Sequence, residues 1–123
     1  MFEVEFYEER NGVEPVKEFI IDLLSKAKNS KVERVRANKV ITYIRVLQQY
    51  GTRAGEPYTK HIDGDIWELR PLNDRIFFFY FKDNKFILLH HIVKKTRKTP
   101  QKEIDHAKRN MIDHIERSKE DGK

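Results

Sequence analysis

Apolar and polar residues alternate from Phe2 to Tyr7, with Phe2, Val4 and Phe6 against Glu3, Glu5 and Tyr7. That period of two is the mark of a half-buried strand, and Asn11-Gly12 ends it. The period then lengthens. Pro15 is placed to start a helix, on which Val16, Phe19, Ile20, Leu23 and Leu24 form one apolar stripe. Asn29-Ser30 breaks this helix. A second should run from about Lys31 to Tyr50, with Val32, Val35, Val40, Ile41, Ile44 and Leu47 facing inward and Gly51 stopping it. Two helices joined by so short a break form a hairpin suited to cover one face of a sheet. Thr52 to Thr59, with Gly55 and Pro57, reads as a loop. Three strands are expected between Ile66 and Val93. Thr99 as cap and Pro100 at the first position open a last helix with a thin stripe of Ile104, Ala107, Met111 and Ile115. From Glu116 onward the chain is expected to fray. The predicted order is β-α-α-β-β-β-α over residues 1–123, an α+β single domain whose antiparallel-dominated sheet packs on the helical hairpin.

Strand parity assigns faces within that sheet. With Asp83-Asn84 at the centre of a hairpin turn, Phe81 faces Phe86, Phe77 faces His90 and Arg75 faces Ile92. With Asn73-Asp74 as a preceding two-residue turn, Arg70 faces Phe77. One face then carries Glu68, Arg70, Arg75, Phe77, Phe79, Leu88, His90 and Lys94. The other carries Trp67, Leu69, Ile76, Phe78, Tyr80, Ile87, Leu89 and Val93, interrupted by His91. The apolar face should pack on helices, and the mixed face gathers charge at one end. A three-residue turn at either place would flip everything beyond it.

Charge sharpens this picture. The net charge is +5, and Lys94, Lys95, Arg97 and Lys98 put four cations into five residues, which points to polyanionic partners. The chain has no cysteine, excluding thiol nucleophiles, disulfides and Cys-based zinc sites. No apolar run approaches the roughly 20 residues of a membrane span, and the N-terminus lacks a signal-peptide pattern, so a soluble, cytoplasmic protein is expected. Glu3, Glu5, Glu8 and Glu9 are spaced too irregularly for a metal site. His106 and His114, on a charged helix, are placed in solvent.

Trp67-Glu68-Leu69-Arg70, then Asp74-Arg75-Ile76, then Leu88-Leu89-His90 leading into Lys94-Lys95-Thr96-Arg97-Lys98-Thr99-Pro100 resemble the phage-derived Gp49-like branch of the RelE/HigB toxins of type II toxin–antitoxin systems. The resemblance spans nearly the whole chain in element order and is sharpest from Lys60 to Arg109. It implies a RelE-like fold and a small toxin that cleaves mRNA on translating ribosomes. It also implies silencing by a helix-turn-helix, HigA-like antitoxin, through which alone DNA would be bound. By position, Arg70 and Arg75 match the family's sheet arginines, His90 its histidine after the double leucine, and Lys94, Lys95 and Lys98 its basic loop. His61 matches an RNA-binding position in the loop before the sheet. Where the family often has Gly after the histidine, this chain has His91.

The residue types suit such chemistry independently. Attack of a ribose 2′-hydroxyl on the neighbouring phosphorus needs no metal, cofactor or enzyme nucleophile. It needs proton transfer and stabilisation of the extra negative charge of the phosphorane. Arginine pairs two phosphate oxygens at once and stays charged, which assigns Arg70 and Arg75 to the transition state. Histidine titrates near neutrality, which assigns His90 to proton transfer; Lys94 or Lys95, with a pKa lowered by neighbouring cations, is the substitute. Lys98 joins them in binding substrate. Each residue has a plainer reading: Arg70 paired with Glu68 or Asp74, one of His90 and His91 a buried structural histidine, and the lysine run a solvated turn. Two other functions fit the same fold and charge: a ParE-like gyrase poison without nuclease activity, and a non-catalytic basic RNA-binding module.

Overall fold

The computed structural model describes residues 1–121. Strand β1 (Glu3–Phe6) leads into helices α1 (Pro15–Ala27) and α2 (Lys31–Tyr50) and a 3-10 turn at Gly51–Ala54. Strands β2 (Thr59–Asp63), β3 (Ile66–Leu69), β4 (Asp74–Tyr80) and β5 (Lys85–Val93) follow, and α3 (Gln101–Glu120) closes the fold. The five strands form one mixed sheet in the order β1-β5-β4-β3-β2, parallel only between β1 and β5. This is an α+β architecture of the RelE-like kind. Among the described residues no helix is long and apolar enough to cross a membrane.

Helix boundaries follow local chemistry. Pro15 occupies the first turn of α1. The Ser30 side chain accepts the Glu33 N–H and caps α2, while Gly51 stops it at φ 64°. A Cβ at Gly51 would lie 2.7 Å from the Phe2 ring, so the same glycine lets β1 seat against the end of α2. Thr99 does not cap α3; Pro100 takes the N-cap position without a side-chain bond. Nor does the chain fray at Glu116, because α3 continues to Glu120. Arg117 there bonds the Glu8 carbonyl and Asp113, and Arg10 reaches Asp113 and Glu120.

The helical hairpin covers one sheet face. Val16 and Leu23 of α1 and Ala37, Val40, Tyr43 and Leu47 of α2 pack on Leu69, Ile76, Phe78, Phe86 and Leu88. Val32 and Val35, expected to point inward, are exposed; they line a groove of about 540 Å³ with Leu72 and Val93. The buried stripe of α2 is turned by Ala37 and Tyr43, which a search for large aliphatic residues passes over. On the other face, Ile104 and Ala107 of α3 pack on Ile66, Phe77, Phe79, Ile87 and Leu89. Both faces are therefore covered by helices.

Three register details differ from expectation. An extra strand, β2, pairs with β3 where a loop and its continuation were expected. The β3–β4 connection is a turn over Pro71–Asp74, closed by Asp74 N–H to the Pro71 carbonyl, with Leu72 at φ 56°. Glu68 therefore pairs with Phe77, and Arg70 falls opposite Arg75 rather than Phe77. That is a shift of two residues, which preserves parity. The Asp83-Asn84 turn forms with both residues at positive φ, but it closes with Tyr80 opposite Phe86. A β-bulge between Phe77 and Phe78 then leaves Leu89 without a ladder partner and restores the expected pairs Phe77–His90 and Arg75–Ile92. Between turn and bulge the side chains of β5 change face while those of β4 keep theirs: Leu88 joins the hairpin side, Ile87 and Leu89 the α3 side. Asn110 of α3 donates to the Leu89 carbonyl at 2.9 Å, giving the residue set out of register a buried polar partner.

Candidate anion site on the α3 face of the sheet

Glu68 is the centre of the site. It sits mid-sheet on the α3 face, fully buried, and one of its oxygens lies 3.5 Å from Arg70 Nε and 3.8 Å from Arg75 Nε. The other oxygen is buried without a hydrogen-bond partner, as are both Nε groups. Burial pushes the Glu68 carboxyl above its ordinary range, against the pull of Arg75, Arg70, Lys94 and Lys60. Those four cations surround one carboxylate, and they come from β2, the ends of β3 and β4, and the start of the basic loop.

Each cation is held differently. Arg75 is buried and donates through Nη1 to the Leu72 and Asp74 carbonyls at 2.7 and 2.9 Å, so the positive-φ turn doubles as its clamp. Burial lowers its pKa, opposed by Glu68, and a guanidinium stays charged throughout. Arg70 is half-buried and donates to Glu56 at 2.7 Å. Lys94 is placed by its own backbone, whose N–H bonds the Asn73 carbonyl at 2.8 Å. Its pKa is lowered by burial first and by Arg75 second. Lys95 and Lys98 are exposed on the loop, beside a groove of about 480 Å³ lined by Lys94, Lys95, Thr96, Pro100, Lys102 and Glu103.

The histidines do not enter this cluster. His90 faces α3, where it meets Glu103 Oε1 at 2.9 Å and stacks between Phe77 and His106. Burial lowers its pKa, opposed by the Glu103 hydrogen bond. His91 faces the hairpin, stacks on Phe19 at 3.4 Å and bonds Asp74 at 2.9 Å. Asp74 also accepts two bonds from Arg36. Burial alone would raise the Asp74 carboxyl, but those partners hold it below its usual range. His61 pairs with Trp67 and its ring contacts the indole, which puts it on the hairpin side, across the sheet from Arg75. His106 and His114 are not in solvent; His106 stacks on His90 and His114 lies against Phe79 and Phe81.

Sequence reading thus missed Lys60 and underrated Glu68. Lys60 pairs with Glu68 across the sheet, and the only signal for it was the short alternation Thr59-Lys60-His61-Ile62, too brief and polar to stand out. Glu68 appeared only as a rival partner for Arg70, whereas it lies within reach of both arginines.

A family model described as "Phage derived protein Gp49-like (DUF891)" matches residues 22–112. That stretch runs from α1 well into α3 and contains every residue of the cluster. The chain belongs to the Gp49-like family. This family is related to the RelE toxin superfamily, in agreement with the fold. Among curated proteins the chain finds no match.

Proposed function

We propose that this Gp49-like protein is the toxin of a type II toxin–antitoxin pair and acts as a metal-independent mRNA endoribonuclease on the ribosome. The observation that carries the reading is the set of four cations around buried Glu68. Phosphoryl transfer needs donors already aimed where charge develops, because reorienting them during reaction costs free energy. A carboxylate shared by Arg70 and Arg75 fixes those donors before substrate arrives.

In this reading Lys94 takes the proton of the ribose 2′-hydroxyl as its oxygen bonds to phosphorus. Arg70 and Arg75 hold the non-bridging oxygens of the phosphorane. The bond to the 5′-oxygen breaks, Lys95 supplies that oxygen with a proton, and the products are a 2′,3′-cyclic phosphate and a 5′-hydroxyl. Lys60 and Lys98 bind flanking phosphates. His90, tied to Glu103, is left out of proton transfer, and His61, across the sheet, out of the RNA path. The partner is a helix-turn-helix antitoxin, and any operator DNA is bound through it.

Induced expression in a bacterium, with primer-extension mapping of transcript ends, tests this. Wild type should arrest growth and produce new mRNA breaks, and Arg70→Ala should lose both while retaining a folded circular-dichroism spectrum. Loss of one oriented donor typically costs about 10²–10³ in rate. Arrest without RNA breaks would move the case to a gyrase-type target. Equal loss of RNA binding and cleavage in Arg70→Ala would remove the transition-state role.

A further inference from the structure

On the α3 face of the sheet, where Glu68 pairs with Phe77 and Phe77 with His90, three potential ligands converge beside the base of the basic loop. His90 projects from β5 toward α3, and Glu103 and His106 stand three residues apart on the first two turns of α3, hence on one helix face. One ligand atom from each lies within 4.8 Å of the others. His90 Nε2 is already 2.9 Å from Glu103 Oε1, and the His90 and His106 rings are stacked with centroids 4.0 Å apart and planes at 20°. All three residues are half-buried, so they are partly desolvated yet reachable from solvent.

We infer that His90, Glu103 and His106 form a binding site for a divalent transition metal of the zinc type. Two imidazoles and one carboxylate, without thiolate, are a borderline donor set that favours zinc or its neighbours over calcium or magnesium. Bonds of about 2.0–2.2 Å in a tetrahedral array put ligand atoms about 3.3 Å apart. To close from the observed spacing to that, the stacked rings must unstack and turn their nitrogens toward Glu103. Metal bound at His90 Nε2 would take the place of its hydrogen bond to Glu103, the ring proton then sitting on Nδ1, and a water completes the coordination.

The position gives the site a consequence. Residues 90 and 103 bracket the loop that carries Lys94, Lys95 and Lys98, so a metal joining them closes that loop at its base. The site lies outside the proposed cleavage chemistry and does not depend on it.

The test uses the full-length, tag-free protein stripped with chelator and titrated with zinc chloride by calorimetry, alongside thermal melts. Wild type should bind one zinc per chain and should melt higher with zinc than without. His106→Ala and Glu103→Gln, checked for folding by circular dichroism, should each weaken binding at least tenfold and lose the melting shift. His114→Ala, at an unrelated histidine of the same helix, should bind as wild type does. Absence of saturable binding in wild type, or undiminished binding in both His106→Ala and Glu103→Gln, would overturn the site.

Discussion

Glu68 shows how one buried side chain governs several exposed ones. An ionised carboxylate is costly to bury unless it is paired, and here its partners are two arginines reached at 3.5 and 3.8 Å. Removing it leaves the buried Arg75 uncompensated, so Glu68→Ala should destabilise the fold by on the order of 3 kcal/mol; urea unfolding measures this. Lys94 supplies a second residue-scale prediction. As a general base it must be neutral, and its pKa lies below the ordinary lysine value because of burial and Arg75. Cleavage by wild type should therefore rise with pH and level off above the lowered pKa. Lys94→Arg, charged at every accessible pH, should be slow and lack that rise. A pH–rate profile for cleavage of ribosome-bound mRNA distinguishes the two, and an identical rise in both proteins would take proton transfer away from Lys94.

At the scale of elements, the decisive device is the bulge in β5. It lets a hairpin whose turn closes one residue out of register deliver His90 to the face that simple alternation assigns it, opposite Phe77. It leaves Leu89 out of the register, and Asn110 of α3 gives the Leu89 carbonyl one buried hydrogen bond. Asn110→Leu should thus destabilise by about 1–3 kcal/mol, the penalty of an orphaned buried carbonyl, despite replacing a polar residue with an apolar one. Chemical denaturation measures this too; a neutral or stabilising effect would show that the bulge carbonyl finds another partner. The β3–β4 turn works similarly, since the carbonyl of Leu72 and that of Asp74 are where Arg75 is anchored. A connection that looks like mere reversal of the chain is the scaffold of the site.

Across the whole molecule, the first strand and the last helix are tied by a polar network. The Tyr7 hydroxyl, just past β1, donates to Asp113 at 2.7 Å over a separation of 106 residues, and Arg10 and Arg117 meet the same carboxylate. Tyr7 is buried, and burial together with the bond to Asp113 pushes its pKa from 10.0 up to about 12. A raised pKa means that the folded state holds its proton where the unfolded state has lost it. The stabilisation is therefore complete below about pH 10 and disappears as pH rises from 10 to about 12. Absorbance titration of the phenols should show one late component that Tyr7→Phe removes, and the variant should lose less stability across that interval than wild type does.

Much of this was legible in the residue pattern. The spans of α1 and α2 follow from Pro15, Ser30 and Gly51, because caps and breakers act within a few residues of where they stand. Parity placed Glu68, Arg70, Arg75 and His90 on one face, since alternation along a strand survives any shift of two. The resemblance to the family, too, was carried by local words such as Trp67-Glu68-Leu69-Arg70, and the family model matches residues 22–112. What tertiary structure alone decided is how those residues are occupied. Only packing against α3 ties His90 to Glu103 and His106, and only the pairing of β2 with β3 brings Lys60 to Glu68. Only the bulge exchanges the faces of Ile87, Leu88 and Leu89. Each of these depends on contacts between residues far apart in the chain or on a one-residue offset, and neither leaves a periodic trace for a sequence to carry.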